Sequence, residues 1–153
     1  MKLHEEISRI KSILYEDKHS DKKIKKYLQH EMDELERASQ DLNRDEGIDV
    51  TVKDLIDAFE MAKEIEIPMN VCKKLENTES NQIEKGEMDK VIELAKKYNK
   101  SNPKKLQNAL MSGEYNRPLI VKFGDRYHLV AGNTRLCTAA AIGIKPQVII
   151  AEI

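Results

Sequence analysis

The residues best suited to chemistry lie in one segment, Leu129-Val-Ala-Gly132-Asn-Thr-Arg135-Leu-Cys-Thr-Ala-Ala. A strand-like run ends, a glycine turns the chain, and an alanine-rich helical run begins at once. The first turn of a helix has N–H groups without intrahelical partners and a partial positive charge. Gly132 leaves room for a ligand against the backbone, Asn133 and Thr134 bring side-chain donors, and Arg135 brings a permanent cation. Such groups suit a phosphate or another anion. The frame is not a Walker loop, which requires a lysine after a five-residue glycine frame, nor a dinucleotide fingerprint. The same residues also have an ordinary structural use, as a glycine turn with an Asn or Thr cap and a surface arginine. Spacing alone leaves both readings open.

Weaker candidates surround the turn. Lys122, Arg126 and His128 fall on the two strands before it, with Arg126 and His128 on one face. His128 is expected to face solvent. Glu114 and Arg117 flank the start of the first of these strands, where they suit either a ligand contact or a loop. Lys22, Lys23, Lys25 and Lys26 form a basic run, but Asp21, Glu31 and Asp33 surround it, which predicts a solvated helix face. Cys72 and Cys137 lack CxxC spacing, and the four histidines form no HxxxH or HExxH pattern, so no disulfide scaffold or metal site is expected.

The elements that must position the turn follow from hydrophobic period and punctuation. Leu3, Ile7, Ile10 and Leu14 make one helical stripe over residues 3–17. Ser20 is a candidate cap for a second helix, whose stripe is Ile24, Leu28, Leu35 and Leu42, with Tyr27, Met32 and Ala38 beside it. Residues 1–46 are therefore expected to form a helical hairpin or coiled-coil extension, packed on the rest of the chain or on a second copy. Asn43 to Asp49 reads as a linker to a domain over residues 50–153. Thr51 with Asp54 resembles a capping box, and Val52, Leu55, Ile56, Phe59, Ala62 and Ile65 predict one amphipathic helix that Pro68 ends. A short helix over 69–76, a polar loop over 76–82 and a helix marked by Met88, Val91, Ile92, Ala95 and Tyr98 follow. Ser101-Asn102-Pro103 opens a further helix that Gly113 closes. From Pro118 onward the pattern predicts a strand, a Gly124-Asp125 turn, a hairpin strand, the glycine turn, a helix over 133–142 and a final strand.

Bulk composition narrows the classes. The 153 residues carry 26 Lys+Arg against 27 Asp+Glu, which argues against a basic nucleic-acid coat or a polybasic membrane anchor. No apolar run approaches the ~20 residues that span a bilayer. The N-terminus has no apolar signal core, so no membrane partner is expected and a cytoplasmic setting is. Charge is uneven: residues 111–153 hold eight charged residues and four of the six glycines.

The order and spacing of Arg117-Pro118-Leu-Ile-Val-Lys122, Tyr127-His-Leu-Val-Ala-Gly132-Asn-Thr-Arg135-Leu, Ala139-Ala-Ala141 and Gly143-Ile-Lys-Pro-Gln-Val-Ile-Ile150 resemble the ParB/sulfiredoxin superfamily. The resemblance covers residues 103–153, a third of the chain. It implies an α/β (α+β) fold, a small mixed sheet with helices, preceded here by the helical extension. It also implies a nucleotide site. In CTP-binding ParB partition proteins, ATP-using sulfiredoxins and free serine kinases of this fold, the Gly-x-x-Arg turn contacts nucleotide phosphates. Carried over, Gly132, Asn133, Thr134 and Arg135 would surround phosphate oxygens of ATP or CTP, with Mg2+ on the nucleotide. Sulfiredoxins place a catalytic cysteine where Asn133 stands, so sulfinic-acid reduction is not expected. Partition proteins have a second arginine at the place of Thr134 and continue into a helix-turn-helix, whereas this sequence ends at Ile153. The Gly-Asn-Thr-Arg string is nearest the kinase-like version, although its usual acidic residue before the glycine is Ala131 here. The resemblance thus favours an NTP-dependent phosphotransferase or NTPase. A DNA-associated module, such as a nuclease or DNA-modification component using Arg117, Lys122, Arg126 and Arg135, is the first alternative. A non-catalytic homo-oligomer joined through residues 1–46 is the second.

Overall fold

The computed structural model describes residues 23–97 and 102–153. The helix expected over 3–17, the Ser20 cap, Lys22 of the basic run, Tyr98 and Ser101 lie outside the described residues. The described part of α1 covers residues 23–30, and α2 (Met32–Glu46) follows after one turn residue. Then come α3 (Val52–Met61), β1 (Glu64–Glu66), α4 (Met69–Lys74), a 3-10 turn (Ser80–Gln82), α5 (Met88–Lys97) and α6 (Pro103–Ser112). The chain closes with β2 (Leu119–Phe123), β3 (Arg126–Ala131), α7 (Asn133–Ile142) and β4 (Gln147–Glu152). The result is a mixed α/β fold around one four-stranded sheet of order β1-β4-β2-β3. β2 runs parallel to β4, while β1–β4 and β2–β3 are antiparallel.

Local chemistry sets most helix ends. Thr51 and Asp54 form a reciprocal capping box, with Asp54 N donating to Thr51 Oγ1 at 3.1 Å and Thr51 N to Asp54 Oδ2 at 2.9 Å. Asn102 caps α6 by accepting from Lys104 N at 3.0 Å, with Pro103 as its first residue. One expected helix is shorter than its stripe. Ile65 falls in register with Val52, Leu55 and Phe59, yet α3 stops at Met61, and Glu64–Glu66 becomes the edge strand β1. There Ile65 opposes Val148 of β4 and is exposed rather than buried. The backbone groups on the outer side of β4 need partners, and an extended segment ahead of Pro68 supplies them at no loss of core, since Phe59 already ends the buried stripe.

Strand alternation divides the core in two. Leu119, Val121 and Phe123 of β2, with Ile149 and Ala151 of β4, pack under α2 and α3 against Leu35, Leu42, Leu55 and Phe59. On the other face Ile120, Leu129 and Val148 meet Val71 and Leu75 of the α4 region and Leu136 of α7. This period-2 division is what a strand dictates when both faces are covered. Fully buried side chains such as Leu42 and Phe59 each contribute about 2–3 kcal/mol of burial. Tyr27, Leu28, Leu35, Ala38 and Leu42, expected in the N-terminal extension, belong to the same core as the sheet. The expected linker is stitched down as well: Val50 N and O bond the side-chain amide of Asn43 at 3.0 and 3.1 Å, and Ser39 Oγ donates to Val50 O at 2.7 Å. No described helix is long and apolar enough to cross a membrane.

Candidate functional site

The strand–glycine–helix turn is formed by the end of β3 and the start of α7. Gly132 has φ +104°, in the left-handed region that favours glycine. A Cβ there would sit 2.8 Å from both Cα and Cβ of Pro118, so the turn lies against the residue that leads into β2. Gly132 therefore serves close packing, and the space its missing side chain leaves is taken by Pro118 rather than left for a ligand. Because the N-cap is a glycine, no side chain caps the first-turn N–H groups of α7. These groups border a cleft of about 570 Å³ lined by all four turn residues, Gly132, Asn133, Thr134 and Arg135.

The cleft has three further walls. Asn77, Thr78 and Glu79 form one, Glu31, Glu34 and Arg37 around the start of α2 form the second, and Leu106, Leu129 and Val130 form an apolar side. Asn133 fastens the first wall to the helix. Its Oδ1 accepts from Thr78 Oγ1 at 2.6 Å and from Glu79 N at 3.2 Å, and its Nδ2 donates to Glu79 Oε2 at 2.5 Å. The side-chain amide expected to face a ligand thus braces the neighbouring segment and sets the Glu79 carboxylate beside the turn. Arg135 is half-buried. Its Nη1 donates to the Tyr27 hydroxyl at 3.0 Å, and its guanidinium carbon lies 5.8 Å from the centre of the Tyr27 ring. Burial pushes the Tyr27 phenol up to about 12, against the lowering effect of the Arg135 charge. Cys137 is buried one turn into α7, and burial raises its thiol to about 12, so it is a packed side chain and no nucleophile.

The other expected contacts do not line this cleft. Arg117 pairs with Glu64, donates to Gly113 O at 3.0 Å and Tyr115 O at 3.2 Å, and stacks on the Tyr115 ring. Arg126 pairs with both Glu46 and Glu76. The bond to Arg126 is the largest influence holding the Glu76 carboxyl low. Lys122 reaches along the Tyr127 ring, with its Nζ 6.0 Å from the ring centre. Glu114 is exposed, and its backbone N–H donates to Ala109 O at 3.1 Å as α6 ends. His128 corrects an expectation: it is half-buried, and its Nε2 is buried with no hydrogen-bond partner among the described residues. The cause is the segment at Glu76, which bonds the strand on either side of His128 through Glu76 N to Tyr127 O and Leu129 N to Glu76 O. Burial is the largest influence on the imidazole and holds its pKa below the usual histidine value.

Tyr27 and Glu79 enter the site from 108 and 54 residues away in sequence. Their only sequence signals were weak, a tyrosine beside a helical stripe and an acid in a polar loop. Among the described residues no group of three or more His, Cys, Asp or Glu is placed to hold a metal ion. The arrangement can bind an anion at the helix start and Arg135, and it presents a carboxylate next to that anion. Comparison with protein-family models, with curated proteins and with solved structures finds no match to this chain.

Proposed function

We propose that this chain is a nucleotide-binding protein of the ParB/sulfiredoxin type, holding the phosphates of ATP or CTP against Gly132–Arg135 and acting as an NTP-dependent phosphotransferase or NTPase. One observation carries the reading: the four residues of the Gly-Asn-Thr-Arg turn line a single cleft of nucleotide-compatible volume, about 570 Å³, at an uncapped helix start. The mixed sheet, with a hairpin strand feeding the glycine turn, supports the family reading.

Glu79 supplies the acidic group that the sequence lacks at Ala131. Held by Asn133, its carboxylate stands beside the phosphate position and takes the proton from an acceptor hydroxyl or water. The acceptor oxygen attacks the γ-phosphorus in line, the new P–O bond forms as the bond to the β-bridging oxygen breaks, and the nucleoside diphosphate leaves. Arg135 and the first-turn N–H groups bind the phosphate oxygens and stabilise the charge that develops there. Mg2+ would be carried on the nucleotide and would neutralise its phosphate charge. DNA binding is less well supported, because Arg117 and Arg126, half of the basic patch it would use, are ion-paired to Glu64, Glu46 and Glu76.

Calorimetric titration with ATP, ADP and CTP in the presence of Mg2+ tests the reading. Saturable binding that Arg135→Ala weakens supports it. Absence of binding by all three nucleotides overturns it.

A further inference from the structure

We infer that Tyr27 is a positioning residue for the anion site: its hydroxyl fixes the Arg135 guanidinium toward the cleft, so the N-terminal helical segment is a working part of the site. The inference rests on the nucleotide reading of the cleft and goes beyond it, because Tyr27 precedes the turn by 108 residues and lies outside the segment that resembles a known family.

The geometry is specific. Tyr27 is buried at 8% exposure in the core under α2 and α3, so its ring cannot move without disturbing Leu28, Leu35 and the sheet. From that fixed base its hydroxyl accepts from Arg135 Nη1 at 3.0 Å, and its ring lies 5.8 Å from the guanidinium carbon. Arg135 has no other hydrogen bond among the described residues, and no carboxylate there pairs with it. A guanidinium has five N–H donors in a rigid fork. Binding one of them to a neutral phenol restricts the rotamers of a long side chain and leaves the remaining donors for a ligand. The positive charge is not cancelled, as it would be by a glutamate at the same place. Ordering the side chain before the anion arrives removes an entropic cost from binding. Tyr27 is thus an anchor suited to an arginine that must stay available.

A double-mutant cycle in the full-length protein tests this, using calorimetric titration with ATP and CTP. Tyr27→Phe keeps the ring and deletes the hydroxyl. It is expected to weaken nucleotide binding on the order of tenfold, the scale of a lost hydrogen bond to a charged group, while the thermal midpoint changes little. Arg135→Ala is expected to weaken binding more, and Tyr27→Phe added to Arg135→Ala is expected to change nothing further, since the hydroxyl acts only through the guanidinium. A merely structural role for Tyr27 would instead lower the thermal midpoint and add its effect in both backgrounds. Wild-type affinity in Tyr27→Phe, or an equal loss with and without Arg135, overturns this inference and leaves the nucleotide reading standing. A wild-type protein that binds neither nucleotide overturns both.

Discussion

Strand β3 has an arginine at its start and another just past its end, and the two are treated in opposite ways. Arg126 opens the strand. Its Nη2 lies 2.8 Å from Glu46 Oε1 and 2.6 Å from Glu76 Oε1, and its Nε lies 2.9 Å from Glu76 Oε2. Two carboxylates from the end of α2 and the segment after α4 saturate it, and its charge joins three parts of the fold. Arg135 follows the strand by one turn of α7 and, among the described residues, hydrogen-bonds to one neutral phenol. The glycines beside them differ likewise. Gly124, before β3, has open space where a Cβ would stand, whereas Gly132, after it, has Pro118 at 2.8 Å. At one end the backbone is free and the cation is neutralised. At the other the backbone is tightly confined and the cation is kept available. The proposed anion site rests on this guanidinium, which among the described residues has no ion-pair partner and lines the cleft.

The largest expected effect tests the backbone half of this contrast. Gly132→Ala places a Cβ against the Pro118 backbone at a φ that alanine avoids, and it should cost about 2–4 kcal/mol in urea denaturation. Gly124→Ala meets only the conformational penalty of its φ of +59°, about 1 kcal/mol. Equal losses at the two glycines would show that Pro118 does not confine the turn.

The charge half comes next. Arg135→Ala should weaken nucleotide binding about 10–100-fold, the loss of charge-assisted bonds to phosphate. Arg126→Ala should leave nucleotide affinity within about twofold, because its guanidinium points at carboxylates rather than the cleft. If Arg126→Ala weakened binding as much, the contrast between the two arginines would collapse. A smaller effect is expected for Asn133→Ala. It leaves the Thr78 hydroxyl and the Glu79 N–H without their acceptor and should destabilise the fold by about 1–2 kcal/mol in the same denaturation experiment. If Glu79 is the general base, phosphoryl transfer should fall further than binding does.

How much of this was readable in advance depended on sequence distance. The Gly132 turn, the Thr51–Asp54 box, the Asn102-Pro103 start and the Gly113 and Gly143 ends are each decided within about five residues, and each forms as its local chemistry dictates. β1 was not readable, because Ile65 continues a helical stripe and only the open side of β4 makes extension the better choice. Nor was the environment of His128, which depends on Glu76 docking beside β3 from 52 positions earlier. The same holds for Tyr27 on Arg135 and Glu79 on Asn133, which meet only after the sheet has closed. The glycine turn on which the proposed anion site rests is local and was legible. The parts that orient it are long-range and were not.

The smallest expected effect concerns the saturated end of β3 and has a definite sign. His128 sits near Asp41, Glu46 and Glu76, whose charges favour its protonated form, while burial and the Arg126 charge oppose it, and burial dominates. Its folded pKa is therefore below the ordinary 6.5. Below 6.5 the unfolded chain takes up a proton that the folded chain resists, so stability falls as pH drops through 6.5 toward the folded value and levels off beneath it. Glu76, whose carboxyl is held low chiefly by its bond to Arg126, gives up its contribution at more acid pH, below its ordinary 4.5, so the two windows separate. Urea midpoints measured between about pH 8 and pH 5 should decline in the wild type. They should decline less in His128→Gln, which cannot titrate, while nucleotide affinity at the higher pH stays unchanged because His128 does not line the cleft. Identical slopes in the two proteins would show that the buried imidazole gains a proton as readily in the fold as outside it. The Arg126 end of β3 would then be open to water.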